Sequence, residues 1–365
     1  MAKIIIAAGG TGGHLFPAQA LAKELCEKNN QLEIIFVGGE LTTNRYFYKE
    51  LFSFREIFTS TPYRSKKSVK IWLSWWTIIK GIRQSLGLLS EMQPKVVIGF
   101  GSYHAFPMLC AALFKRVPII ICESDFIPGK VNRLFARWAH VSAIQFEQAS
   151  KGLKGKTVPV HLPLWKKKEE PERSCEASRA YFALKPLLFT LLVFGGSQGA
   201  VAINRIFCEA LTLFPEHKRE FQVIHITGRE ANIEEISRLY DRLGIPACVK
   251  EFEEYMYLAW RAANLAICRA GAATLAEHLA FEVPAIFIPY PSAAADHQTK
   301  NAFFMEKEVG GALCLIEKEL TAAQLSNQVQ KLLDVDTLIS MQSKMRSFKK
   351  DARKVDLSTL IHPFL

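Results

Sequence analysis

Two short apolar runs, one in each half of the chain, end in glycines and pass directly into helix-like sequence. No other feature limits the fold as much. The first is Lys3-Ile-Ile-Ile-Ala-Ala-Gly9-Gly10-Thr11-Gly12-Gly13-His14, running into Leu-Phe-Pro-Ala-Gln-Ala-Leu-Ala. The second is Leu191-Leu-Val-Phe-Gly195-Gly196-Ser197-Gln198-Gly199-Ala200, running into Val-Ala-Ile-Asn-Arg-Ile-Phe. A buried strand that turns on glycine into a helix presents main-chain N–H groups to an anion at the helix N-terminus. One such turn in each half predicts two nucleotide-type lobes and points to a transferase more than to a one-lobe binder.

Apolar runs that read as buried parallel strands recur at 3–8, 33–37, 96–99, 119–122, 187–194, 223–227, 265–268 and 285–289. Helical patterns lie between them at 17–28, 202–214, 233–243 and 273–280. Repeated βαβ units predict an α/β protein with open, doubly wound parallel sheets. A chain of 365 residues is long enough for two cores. The expected boundary lies in 154–186, where prolines and the run Lys166-Lys-Lys-Glu-Glu-Pro-Glu-Arg break the periodicity. The expected domains are 1–160 and 161–340, with a helical, basic tail at 341–365 that packs back on the first domain.

The 46 Lys and Arg against 35 Asp and Glu give a formal net charge of +11. That suits an anionic partner: nucleic acid, an anionic lipid surface or a phosphorylated substrate. The eight cysteines form no C-x-x-C pair and read as buried thiols of a reducing compartment. No hydrophobic signal region opens the chain, and no apolar run approaches the roughly 20 residues of a membrane span. A cytosolic protein is expected.

Gly9–His14 lacks the Lys-Ser/Thr of a P-loop and fits the dinucleotide fingerprint only loosely. With Glu40 after the second strand, a nicotinamide or flavin enzyme stays open on this turn alone. His14, opening a helix beside glycines, suits a general base or a helix cap. Gly99-Phe-Gly101-Ser-Tyr103 is another strand-to-helix turn, for packing or for a ligand. Cys122-Glu123-Ser124-Asp125-Phe-Ile-Pro128-Gly129 leaves a strand at the edge where open sheets bind ligands. Cys268-Arg-Ala-Gly271-Ala-Ala-Thr274-Leu-Ala-Glu277 offers a helix start for a diphosphate. Glu277 then suits a ribose diol, or is a surface carboxylate favoured by the helix dipole. Gln298, in the loop after 285–289, suits sugar hydroxyls. No convincing Asp-x-Asp metal site is found, so no divalent metal and no cofactor is expected.

The segment from Tyr63 to Arg83 places Trp72, Trp75 and Trp76 with Ile71 and Ile79 among Lys67, Lys70 and Lys80. Trp favours the interfacial zone of a bilayer and the flanking cations favour anionic lipid. A core helix with a basic rim is the alternative.

Taken together, GGTGGHLFPAQALA from Gly9, GFGSY from Gly99, GGSQGA from Gly195, CRAGAATLAE from Cys268 and DHQTKNA from Asp296 resemble the MurG family of bacterial cell-wall glycosyltransferases. The resemblance spans nearly the whole chain. It implies a GT-B architecture, two Rossmann-like doubly wound parallel-sheet domains facing a central cleft, with the acceptor and membrane on the first and UDP-N-acetylglucosamine on the second. It implies inverting transfer of N-acetylglucosamine from UDP-GlcNAc to the C4 hydroxyl of the muramoyl sugar of lipid I. The product would be lipid II for peptidoglycan synthesis, and through it cell shape and division. It implies a peripheral enzyme on the cytoplasmic face of the plasma (inner) membrane, docked by the Trp72–Trp76 segment. Its partners would be lipid I, an anionic membrane surface and cell-wall synthesis proteins, with no nucleic acid. By position, Thr11, Gly12, Gly13, Asp125, Ser197, Gln198, Glu253, Ala272, Ala273, Thr274, Leu275, Glu277 and Gln298 match the family's UDP-GlcNAc site, Glu253 through its backbone. His14 and Glu123 match its candidate bases. Asp125 stands where the family has asparagine, and Trp165 where it has an arginine near the diphosphate.

Overall fold

The computed structural model describes residues 2–61, 69–165, 173–196, 199–215, 220–293, 296–351 and 354–365. The chain divides into two units: Met1–Trp165 with Arg353–Leu365, and Lys166–Ala352.

The first unit runs β1 (Ala2–Ala7), α1 (Gly12–Lys28), β2 (Leu32–Gly38), β3 (Ser53–Glu56), α2 (Val69–Met92), β4 (Val96–Gly99), α3 (Ser102–Lys115), β5 (Ile119–Glu123), α4 (Lys130–Phe135), β6 (Val141–Ile144) and β7 (Thr157–His161). In the second unit come α5 (Cys175–Tyr181), β8 (Phe189–Phe194), α6 (Val201–Thr212), β9 (Phe221–Ile226), α7 (Ile233–Leu243), β10 (Ala247–Lys250), α8 (Met256–Ala262), β11 (Leu265–Cys268), α9 (Ala272–Phe281), β12 (Ala285–Phe287), α10 (His297–Phe304), β13 (Ala312–Cys314), α11 (Ala322–Leu332) and α12 (Val335–Asp351). The chain then returns to the first unit as β14 (Val355–Asp356) and α13 (Leu357–Ile361).

The first sheet has the order β14-β7-β6-β5-β4-β1-β2-β3, and all its pairings are parallel. Alternate residues of each strand face opposite sides. Ile4, Ile6, Ile34 and Phe36 therefore join α1 and α13 in one core layer, with Leu15, Leu21, Leu357 and Ile361. Ile5, Ala7, Ile35 and Val37 join α2, α3 and α4 in the other, with Leu89, Met108, Leu109 and Phe135. Runs buried on both faces are what made these strands read as continuous apolar sequence.

The second sheet has the order β10-β9-β8-β11-β12-β13, again parallel throughout. Leu191 and Val193 pack there with Ile203 and Phe207 of α6 and with Leu325 and Val329 of α11. In each sheet the strand order reverses beside a glycine-turn strand: β1 lies between β4 and β2, and β8 between β11 and β9. Crevices at such reversals, outside the carboxyl ends of the strands, are where open α/β sheets bind ligands.

The structure redraws three expectations. The first unit runs on to Trp165 rather than ending at 160. The stretch 154–186, read as holding the boundary, contains the division after Trp165 but also carries β7 and α5, two elements too short to show a period. The basic tail is split. Helix α12 stays with the second unit, where Leu338 and Met341 enter its core and Arg346 and Lys349 pair with Glu282 at 2.6 and 2.8 Å. From Arg353 on, the chain belongs to the first unit, because Leu357 and Ile361 fill that core.

Candidate functional site

In the first unit β1 pairs with β4 in the register Ala7 to Gly99, so the turns after both strands leave the same sheet edge. Thr11 is the N-cap of α1, its Oγ1 3.4 Å from His14 Nδ1, and the His14 N–H donates to the Thr11 carbonyl at 3.1 Å. The helix begins five residues before the predicted start at Pro17, because the glycines are its first turn rather than a loop. The 41–48 loop is tied to this turn. Asn44 Nδ2 donates to the Gly10 carbonyl at 2.7 Å. Buried Gln19 donates to the Tyr46 carbonyl and accepts from the Tyr48 N–H, both at 2.8 Å. Neither Asn44 nor Gln19 was singled out from sequence, since a polar residue in a loop or mid-helix gives no local signal.

Glu123 ends β5 and is 3% exposed. One carboxylate oxygen accepts from the Asp125 N–H at 2.9 Å. The other accepts from the Gly129 N–H and from Asn132 Nδ2, each at 2.9 Å. Burial and the neighbouring Asp125 push Glu123 up to about 7 against those bonds. Its carboxylate fastens the 124–129 loop and the start of α4, and thereby sets half-buried Asp125. Trp165 belongs to the first unit's aromatic cluster. It stacks on Tyr48 with ring centroids 5.0 Å apart and lies 6.1 Å from Phe52. Packing, rather than phosphate recognition, accounts for the aromatic at that position.

In the second unit β8 pairs with β11 in the register Phe194 to Cys268, so the turns before α6 and α9 also share an edge. Gly199 has φ +80, and a Cβ there would come 2.6 Å from Gly228 Cα. Only glycine lets the turn sit this close to the exit of β9. Buried Asn204, one turn into α6, donates to the Thr227 carbonyl at 2.8 Å, and its Oδ1 lies 3.1 Å from His225 Nε2. His225 Nδ1 is 2.9 Å from the Tyr240 hydroxyl, and burial pushes this imidazole down to about 3, so it is neutral.

Ala272, Ala273, Thr274 and Leu275 form the first turn of α9 behind the N-cap Gly271. The fully buried Trp260 donates its indole N–H to Glu277 at 2.8 Å, and burial lifts Glu277 to about 7. Gln298 accepts from the Tyr290 N–H at 3.0 Å, which leaves the NH2 end of its amide out of that bond. Arg269 sets the same strand exit. It donates to the Ile288 and Pro289 carbonyls at 3.0 Å and lies over the Tyr290 ring. An arginine directly after the apolar run 265–268 is the signal that would have found it. Glu253 is buried and accepts from the Tyr255 N–H and Lys250 at 2.8 and 2.7 Å.

Helix α2 carries two apolar stripes. Ile78, Leu89 and Met92 are buried, whereas Trp72, Trp75, Trp76 and Ile79 are 79, 51, 56 and 41% exposed. Exposed Lys80 lies beside them, its ammonium 5.9 Å from the Phe58 ring. Ser197, Gln198 and Lys67 lie outside the described residues, as do the side chains of Lys70 and Ile71. Among the described residues no group of three or more His, Cys, Asp or Glu is placed to hold a metal ion. Among them, too, no helix is long and apolar enough to cross a membrane.

The chain matches the glycosyltransferase family 28 N-terminal domain over residues 4–144 and the family 28 C-terminal domain over 190–355. It is 39% identical to a UDP-N-acetylglucosamine–N-acetylmuramyl-(pentapeptide) pyrophosphoryl-undecaprenol N-acetylglucosamine transferase of Protochlamydia amoebophila, over 98% of this chain and 95% of that protein. A protein of the same name from Syntrophotalea carbinolica is 37% identical over 94% of each chain. Among solved structures, MurG of Acinetobacter baumannii superposes with a TM-score of 0.74 at 25% identity, covering 100% of this chain and 98% of that one. A UDP-glucose:anthocyanidin 3-O-glucosyltransferase solved with UDP shares the fold, with a TM-score of 0.67 at 14% identity over 95% and 93% of the chains.

Proposed function

The chain belongs to glycosyltransferase family 28, and from that premise we propose that it transfers N-acetylglucosamine from UDP-N-acetylglucosamine to undecaprenyl-pyrophosphoryl N-acetylmuramyl-pentapeptide. The new bond joins the sugar's anomeric carbon to the C4 hydroxyl of the muramoyl residue, giving lipid II with inversion. The carrying observation is the near-full-length likeness to transferases of that name.

The local geometry supplies a physical account. In an inverting displacement the acceptor oxygen bonds to the anomeric carbon as the bond to the diphosphate breaks, and UDP leaves with the electron pair. The departing charge needs fixed positive ends of dipoles. The starts of α6 and α9, side by side at one sheet edge of the second unit, supply main-chain N–H groups for that purpose. Glu277 serves the ribose diol, and the Gln298 amide, oriented by its bond to Tyr290, serves the sugar. Ser197 and Gln198 join the diphosphate by resemblance alone. In the first unit, His14 takes the proton of the acceptor hydroxyl. Glu123 acts by holding the Asp125 loop, because its carboxylate is already occupied by three donors.

The exposed indoles of α2 with Lys80 support docking on an anionic bilayer from one side. That suits a lipid-linked acceptor and a peripheral enzyme at the cytoplasmic face.

The test is release of UDP from UDP-GlcNAc. Release should require a lipid I analogue and yield a disaccharide product. Release without acceptor, or none with it, overturns the reading.

A further inference from the structure

We propose that Trp260 is a positioning residue for the donor nucleotide: its indole N–H holds the Glu277 carboxylate in place for the two ribose hydroxyls. The inference rests on the transfer reading above, in which Glu277 serves the ribose diol. It adds the residues that aim that carboxylate, and all of them lie in the second unit.

Glu277 lies in the second turn of α9 and is only half-buried. Among the described residues the Trp260 indole, 2.8 Å from Oε2, is its one side-chain hydrogen-bond partner. A carboxylate accepts up to about four hydrogen bonds, so room remains for two hydroxyls. A free glutamate samples several rotamers, and ordering it when the ribose arrives weakens binding. A bond to a fully buried indole removes that cost by fixing the carboxylate beforehand. Trp260 is itself fixed, its ring packed edge-on against Phe194 with centroids 5.6 Å apart. Phe194 ends β8, next to the glycine turn that starts at Gly195.

The helix that carries Trp260 is pinned at both ends. Tyr255, the N-cap of α8, donates its N–H to Glu253 at 2.8 Å. Glu253 also accepts from Lys250 at 2.7 Å and from the Tyr181 hydroxyl at 3.3 Å, and the Lys250 ammonium stands 4.9 Å from the Tyr181 ring. At the other end, Arg179 donates to the Ala262 carbonyl at 3.0 Å. Tyr181 and Arg179 both belong to α5, so that short helix splints α8. A tryptophan kept for bulk alone still needs some acceptor for its N–H. Here the acceptor is a half-buried carboxylate near the start of α9, rather than a backbone carbonyl, which gives the bond a use beyond filling the core.

The test compares UDP with 2′-deoxy-UDP, which lacks one ribose hydroxyl. Calorimetry should show the wild type binding UDP about tenfold more tightly, the size expected of a hydrogen bond to a carboxylate. Trp260→Phe keeps a ring against Phe194 and removes the N–H. Its preference for UDP should shrink to about twofold, through weaker binding of UDP. In a Glu277→Ala background the same change should cause no further loss of UDP affinity, because the two residues act as one. In steady-state assays Trp260→Phe should raise KM for UDP-GlcNAc about fivefold and leave kcat and KM for a lipid I analogue unchanged. If Trp260→Phe does not fold, Tyr181→Phe, at an exposed position, carries the measurement, with the ribose preference reduced about threefold. An undiminished preference overturns the inference, and so does a loss of the same size for both nucleotides, the mark of a core residue. A wild type without the preference refutes instead the assignment of Glu277 to the ribose, and one that binds no UDP refutes the transfer reading.

Discussion

A carboxylate taken out of water must find donors, and Glu123 at the end of β5 and Glu277 within α9 find different ones. Glu123 takes two backbone N–H groups and an asparagine amide, which makes it a fastening for a loop. Glu277 takes one indole N–H from a fully buried tryptophan. Burial lifts Glu277 to about 7, whereas an unfolded glutamate titrates near ~4.3. Between those values the folded chain holds a proton that the unfolded chain has lost. The stability this provides is complete at low pH and disappears as pH rises through about 7. Urea midpoints measured from about pH 5 to about pH 8 should therefore fall, and Glu277→Gln should flatten that fall; an unchanged slope would show that Glu277 does not titrate there. His14 sits half-buried in the first turn of α1 beside Thr11, and the proposed mechanism gives it the acceptor's proton. His14→Ala should cut kcat by about 10²-fold or more with an unaltered melting temperature. Near-normal kcat would take His14 out of the chemistry.

At the scale of elements, α2 shows a run of large apolar side chains to solvent. A helix packed on one side should be polar on the other, yet α2 shows Trp72, Trp75, Trp76 and Ile79 to solvent while Ile78, Leu89 and Met92 are buried. Sequence periodicity left the membrane and core readings both open for this segment, because both stripes have helical spacing. Burial tells the two stripes apart, and a membrane role for the exposed one is a matter for experiment. Replacing the three tryptophans with serine should lower binding to anionic vesicles at least tenfold and leave turnover of a short-chain soluble acceptor intact. Unchanged vesicle binding would leave the exposed stripe without a membrane role. Elements with one strong signal were legible: β4, β11 and α7 fall where their apolar runs and caps put them. Edge strands were not. Ser53–Glu56 is short, polar and largely exposed, and Ala247–Lys250 is only half-buried, so neither carries a continuous apolar run.

At the scale of the whole molecule, the chain crosses between its two units and then returns. The last residues close the first unit through Leu357 and Ile361, and through Ser358, which donates to Glu24 and accepts from Lys28 at 2.6 and 2.7 Å. Deleting 355–365 strips two fully buried side chains from that core, each worth about 2–5 kcal/mol. Calorimetry should show the first unit melting earlier, while the transition that UDP stabilises keeps its temperature. A lowered UDP-sensitive transition would refute that separation of the cores. By itself the sequence determined the parallel sheets, the helices that open on glycine and the places where the strand-to-helix glycine turns occur. Those are local consequences of apolar runs buried on both faces and of backbone that only glycine allows. Only the tertiary structure decided that Glu123 is a fastening, that Trp165 stacks on Tyr48, that the tail divides after α12, and that Trp260 reaches Glu277. Each of these depends on which distant residues come into contact, and burial and hydrogen-bond partnership belong to that contact rather than to any stretch of chain.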